Sequence, residues 1–189
     1  TLGGENALTG LQQVTIIAVI GVAQTLVILT AGIDLSVGAI MVLASIVMGQ
    51  LGVTLGWPQE LAFAAGLAVA TGCGLVNGIL VTYLRLPPFI VTLGTWSVFG
   101  AMFLWLSASQ TIRAQEVAEA APLLQITGAA VQIGGARLTL GTVAAIAIAA
   151  AVWYVLNRTA FGRHVYATGD DPEAARLAGT LDEAMAERL

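Results

Sequence analysis

The stretch Leu61 to Leu84, LAFAAGLAVATGCGLVNGILVTYL, contains no charged residue. A bilayer-spanning helix needs about 20 mainly apolar residues, and this stretch supplies them. In lipid such a stretch must be helical, because no water is present to satisfy its backbone groups. Gly66, Ala70, Gly74 and Gly78 recur at every fourth position. On a helix they share one face and let another helix come close. Asn77 stands beside this ridge. A polar residue inside a span is costly, so it either bonds a neighbouring helix or belongs to a pathway.

Working outward, four more segments read the same way, at about 12–31, 35–55, 88–108 and 138–157. Their breaks have local causes. Gly32-Ile33-Asp34 divides the first two, and Asp34 is expected to cap a helix beginning at Leu35. Asp34 is also the one carboxylate in the block 12–55. It could therefore serve a proton relay, but the glycine break favours the cap. Gly56-Trp57-Pro58 makes the next break. Arg85-Leu86-Pro87-Pro88 makes the third, since prolines stop a helix but can start one. A polar stretch, Ser109 to Arg137, precedes the last span. The expected fold is all-α, a polytopic transmembrane helical bundle of about five spans.

The whole composition agrees. Of 189 residues 58% are hydrophobic and 10% charged. Soluble domains carry roughly 25% charged residues. A net charge of −4 argues against nucleic acid, which calls for a basic patch. One cysteine, Cys73, and one histidine, His164, leave no disulfide framework and no multi-histidine metal site; no metal site is expected. Cys73 reads as a small packing residue. The opening Thr1-Leu2-Gly3-Gly4-Glu5 has no basic region of the signal-peptide kind.

Arginine placement sets the expected orientation. One side carries Arg85, Arg158 and Arg163, and is expected to be cytoplasmic; the other carries Arg113 and Arg137. Loop 157–179 is then cytoplasmic and loop 109–137 periplasmic, in a bacterial inner membrane. Five spans that end inside begin outside. With no signal sequence, the expectation is a preceding span and a longer protein.

Three blocks stand out. The first is TLVILTAGIDLSVG, residues 25–38. The second is Asn77-Gly78 followed by PPFIVTLG, residues 87–94. The third is NRTAFGR, residues 157–163, then Tyr166-Ala167 and the segment Gly169 to Gly179. Together and in this order they resemble the permease subunits of bacterial ABC importers for monosaccharides, the ribose/xylose/fructose group. TIRAQ, residues 111–115, and GDDPEAA, residues 169–175, look closest to fructose-type members. The resemblance covers about residues 8–179.

The resemblance implies two permease subunits forming the path, with a homodimer the expected form. Cytoplasmic ATPase subunits hydrolyse ATP, and a periplasmic binding protein delivers the sugar to the loop 109–137. The chain has no GxxxxGK[ST] phosphate loop, so no cofactor is expected in it and it is expected not to be an enzyme. The family's coupling segment maps onto residues 159–179, with Gly162, Arg163, Tyr166, Gly169, Asp170, Asp171, Pro172, Glu173, Ala174, Ala175, Arg176 and Gly179 as its candidate residues. Physical reading agrees for the second half. Asp171 can cap a helix with Pro172 at its first position, and Gly179 can end it. Candidate pathway residues, chosen by membrane position, are Gln24, Asn77, Trp96 and Ser97. Residues 180–189 leave the family pattern, are charged and are too short to cross a membrane. The expected domain is therefore a partial permease over 1–179, not competent alone.

Three other readings compete. An ion-coupled secondary transporter would use membrane carboxylates, and Asp34 is the main one offered. An intramembrane hydrolase would need a base near Ser36, Ser45 or Ser97, and His164 lies in the loop. A non-transporting membrane scaffold is the third.

Overall fold

The structure is a computed structural model that describes residues 2–133 and 136–170. Four helices among them are long and apolar enough to cross a membrane: Val37–Thr54, Gln59–Thr82, Pro88–Ser107 and Leu140–Arg158. Val14–Leu29 is a shorter apolar helical stretch. The described chain divides into two compact units.

The first unit, residues 1–32 with 126–189, is built on α1 (Leu2–Leu29) and α6 (Leu140–Arg158). Their apolar faces meet, and a hydroxyl pair ties them: Thr15 Oγ1 lies 2.8 Å from Thr142 Oγ1. Thr142 N–H donates to Thr139 Oγ1 at 3.1 Å, so Thr139 caps α6. Ahead of the cap sits a hairpin, β1 (Ala130–Ile133) antiparallel to β2 (Ala136–Thr139), pairing Ile133 with Ala136 and Ala130 with Thr139. This hairpin corrects the reading of 109–137 as polar loop. Its signal was in the sequence: Gly134-Gly135 between two short alternating runs. After α6, Thr159 breaks the helix and α7 (Ala160–Asp170) folds back against α6 and α1.

The second unit, residues 33–125, packs α2 (Val37–Gly49), α3 (Gln59–Thr82) and α4 (Pro88–Ser107). Leu43, fully buried, lies at the centre with Ala39, Cys73 and Phe99, flanked by Ile40, Val47, Val69 and Phe103. Cys73 is thus a packing residue. The outward faces stay apolar; Trp105 is 80% exposed. In a membrane lipid covers such a surface. Near Gln50–Thr54 α2 widens into a π turn, closed by Leu55 N–H to Gln50 O at 2.9 Å. Short α5 (Ala114–Ala120) and a 3-10 segment, Pro122–Gly128, lie nearby. Ala121 and Ala62, both fully buried, close on Gly52. Leu123 N–H donates to Gln59 Oε1 at 2.9 Å. Arg113 N–H donates to Glu116 Oε2 at 3.0 Å, which satisfies one of the free N–H groups at the start of α5.

Two helices end in the same way. At α1, Gly32 N–H reaches Val27 O at 2.9 Å and Ala31 N–H reaches Ile28 O at 2.9 Å. At α4, Ser109 N–H reaches Leu104 O and Ala108 N–H reaches Trp105 O, both at 3.2 Å. These are Schellman closures, with alanine in the left-handed position usually given to glycine. Ala31 has φ 57° and Ala108 φ 48°. An L-residue there costs roughly 1–2 kcal/mol. Part of that gain is lost to the greater freedom of glycine in the unfolded chain. Ala31→Gly and Ala108→Gly are each expected to stabilise the fold by about 0.5–1 kcal/mol, read as a higher denaturation midpoint in detergent. A lower midpoint in both would contradict the strain.

Candidate functional site

The break between α1 and α2 forms the most polar buried region of the second unit. Helix α2 starts at Val37, with Ser36 in the N-cap position, not at Leu35 with Asp34 as cap. The Asp34 carboxylate turns to the next residues instead. Its Oδ1 accepts from Ser36 N–H and from Ser36 Oγ–H, each at 2.7 Å. This bond to the backbone two residues on makes a local turn, which is the competing use of an aspartate side chain.

Ser36 is fully buried, and its hydroxyl fixes a second partner. A hydroxyl has one proton, and a carboxylate can only accept. The Ser36 proton therefore points at Asp34, and Ser36 Oγ accepts from Asn77 Nδ2 at 2.7 Å. The order Asn77 to Ser36 to Asp34 assigns the Asn77 amide: nitrogen toward Ser36, oxygen away. Asn77 is 7% exposed, and its Oδ1 has no hydrogen-bond partner among the described residues. From α4, Thr92 Oγ1 donates toward Ile33 O at 3.1 Å and Pro88 O at 2.9 Å. Thr92 and Thr95 are both buried. The break is thereby bonded to α3 through Ser36 and to α4 through Ile33. Its residues come from separate parts of the chain: Ile33 to Ser36, Asn77, and Thr92 beyond Pro87-Pro88.

The four candidate pathway residues do not form one group. Asn77 lies in the buried face of α3. Trp96, 52% exposed, and Ser97, also exposed, lie on the outer face of α4, and Ser97 Oγ returns to Leu93 O at 3.4 Å. Gln24 belongs to the other unit and is half-buried. The small-residue ridge also divides. Gly66 is buried against Met48, and Ala70 is half-buried. Gly74 and Gly78 are exposed, and a Cβ added at either would meet nothing within 4 Å. The packed stripe of α3 is Ala62, Gly66, Cys73 and Asn77. Spacing by four drifts around a helix of 3.6 residues per turn, so it leaves that stripe after Ala70.

In the first unit, α7 carries Gly162, Arg163, Tyr166, Gly169 and Asp170. Arg163, Tyr166 and Asp170 are exposed, as is Phe161. Gly162 and Gly169 lie on the inner side, two turns apart. A Cβ at Gly162 would collide with the backbone carbonyl of Leu156 in α6. One at Gly169 would collide with the carbonyl of Leu29, the last residue of α1. Glycine at each position lets the backbone approach closer than any side chain would allow. Asp171, Pro172, Glu173, Ala174, Ala175, Arg176 and Gly179, with the tail 180–189, lie outside the described residues. No group of three or more metal-ligating side chains occurs among the described residues.

A model of the family described as branched-chain amino acid transport system / permease component matches residues 6–183. The chain belongs to that family. It is 56% identical over 169 residues, 89% of its length and 47% of the relative's, to the fructose import permease protein FrcC of Rhizobium meliloti. It is 34% identical over 173 residues, 90% of its length and 47% of the relative's, to the autoinducer 2 import system permease protein LsrC of Escherichia coli strain K12 / DH10B. A similar match, 34% over 162 residues (86% of the chain, 48% of the relative), links it to the autoinducer 2 import system permease protein LsrD of Klebsiella pneumoniae. The chain spans about half the length of these curated relatives. No solved structure matches it.

Filling the two α7 glycines tests this geometry. Gly162→Val and Gly169→Val are each expected to cost about 1–3 kcal/mol, the usual penalty of overpacking. Gly74→Val, with open space around it, is expected to cost nothing comparable. Unfolding midpoints in detergent compare the three, and equal midpoints would contradict the close approaches.

Proposed function

We propose that this chain is part of the membrane-spanning subunit of an ATP-driven monosaccharide importer, with fructose as its sugar. Identity of 56% to a fructose import permease across 89% of the chain carries this reading. The fold fits it, since four described helices are long and apolar enough to cross a membrane. The path would be formed with a second permease subunit, most simply a copy of the same protein. A separate ATPase would engage the segment from Thr159 to Gly179, of which α7 is the described part. Its exposed Arg163 and Tyr166, three residues apart, offer a basic and aromatic face of the kind enriched at interfaces. A periplasmic sugar-binding protein would meet the side that carries α5, where Arg113 and Glu116 suit a polar rim.

The test is uptake by cells whose only permease is the full-length protein containing this chain. The expected result is saturable entry of labelled fructose that needs the ATPase gene and yields to unlabelled fructose. Entry of autoinducer 2 but not fructose would move the substrate to the class of the relatives at 34% identity. Fructose entry without any ATPase would overturn the ATP-driven reading in favour of ion coupling. No entry of either, with stable binding to a partner, would leave a scaffold.

Orientation has its own test. With a cysteine at Arg163 and another at Gln110, in separate variants, an impermeant thiol reagent on whole cells is expected to label only the second. The reverse pattern would invert the topology drawn from Arg85, Arg158 and Arg163.

A further inference from the structure

We infer that Asn77 Oδ1 is a docking point for a hydroxyl of the transported sugar, an inference that rests on the importer reading above. The amide is held from one end. Its nitrogen donates to Ser36 Oγ, and Ser36 is itself committed to Asp34. Rotating the amide would set Oδ1 against a hydroxyl whose proton is already given away. The oxygen is thus presented in one direction, which is the preorganisation a binding site requires.

Such an acceptor has an unusual setting. Asn77 is more than nine-tenths buried, and among the described residues its Oδ1 is the one buried polar side-chain atom that lacks a partner. Buried polar atoms are nearly always bonded, so an orphan of this kind calls for a specific donor. The amide's partner, Ser36, belongs to the non-helical segment Ile33 to Ser36 that leads into α2. Irregular backbone of this kind is tolerated in a membrane protein only where it is buried in protein or lines a cavity.

The chemistry narrows the ligand. A neutral amide oxygen accepts from O–H or N–H and offers little to an anion. Hydroxyl groups are what a monosaccharide brings. Two sources of hydroxyl exist, the sugar and a permanently bound water, and experiment separates them. In this structure the atom is sealed, so the sugar reaches it only in a conformation that opens the site.

The experiment uses the full-length permease with its ATPase and binding protein in proteoliposomes. Fructose and a series of monodeoxyfructoses are the substrates, assayed with wild type, Asn77→Ala and Ser36→Ala. Wild-type protein is expected to transport one deoxy analogue about tenfold less efficiently than fructose, as a site built around a hydroxyl rejects the analogue lacking it. Asn77→Ala is expected to transport fructose about tenfold less efficiently and to discriminate against that analogue no further, since both changes remove the same bond. Ser36→Ala keeps the acceptor but frees the amide, so it is expected to lose part of the rate and keep the same preferred hydroxyl. Losses that multiply for every analogue would overturn the inference and leave a buried water or a structural bond as the role of Asn77. The same conclusion would follow if Asn77→Ala changed only the unfolding midpoint or the yield of complex. Failure of the importer reading itself would appear earlier, as wild-type vesicles that take up no sugar.

Discussion

An apolar chain in lipid has nowhere to send a backbone polar group except to itself, and each interruption of a helix has to be resolved locally. The breaks of this molecule are the places where that constraint is met by name. Ala31 and Ala108 close helix ends by accepting a strained backbone angle. Ile33 O is taken by Thr92, and Ser36 N–H is taken by Asp34. The second unit is organised around the last of these. Ser36 gives the single proton of its hydroxyl to Asp34 and accepts from Asn77 of α3, while Thr92 joins the loop to α4. Three hydrogen bonds thus position a loop that hydrophobic contacts, which have no direction, could not.

The class of fold was legible because composition and span length leave few alternatives. Pro87-Pro88 marks a helix start in the sequence, and α4 begins at Pro88 for the stated reason, a fixed φ and no N–H to lose. The burial of particular faces was much less legible. In a soluble helix the polar side announces the core side; in α3 and α4 both sides are apolar. Gly74 and Gly78 look from spacing like Gly66, yet only Gly66 is buried. Trp96 and Ser97 look like interior residues from polarity, and both lie on the outer face of α4.

The site was half visible. The sequence blocks that carry the family resemblance include Asp34, Ser36, Asn77 and Thr92, so their separate importance could be read. Their meeting could not be, since Asn77 stands 41 positions beyond Ser36 and Thr92 stands 59 beyond Ile33. Asp34 was assigned to capping by its residue type. A side chain that can bond either a helix end or its own loop is decided by the backbone, and here Ser36 precedes the helix. In α7, Gly162 and Gly169 read as family wording; only the folded chain shows that each avoids a collision with a carbonyl.

The small hairpin before α6 also restricts what can surround it. A ribbon of two strands has two outer edges of unpaired backbone, and such edges do not occur in contact with hydrocarbon. The edges of β1 and β2 therefore face water, headgroups or other protein, never lipid chains. The 19 residues that follow, to Arg158, rise about 28 Å, close to the thickness of a hydrocarbon core. Helix α6 is thus long enough to cross such a core between a hairpin that lipid chains cannot touch and a basic residue at its far end.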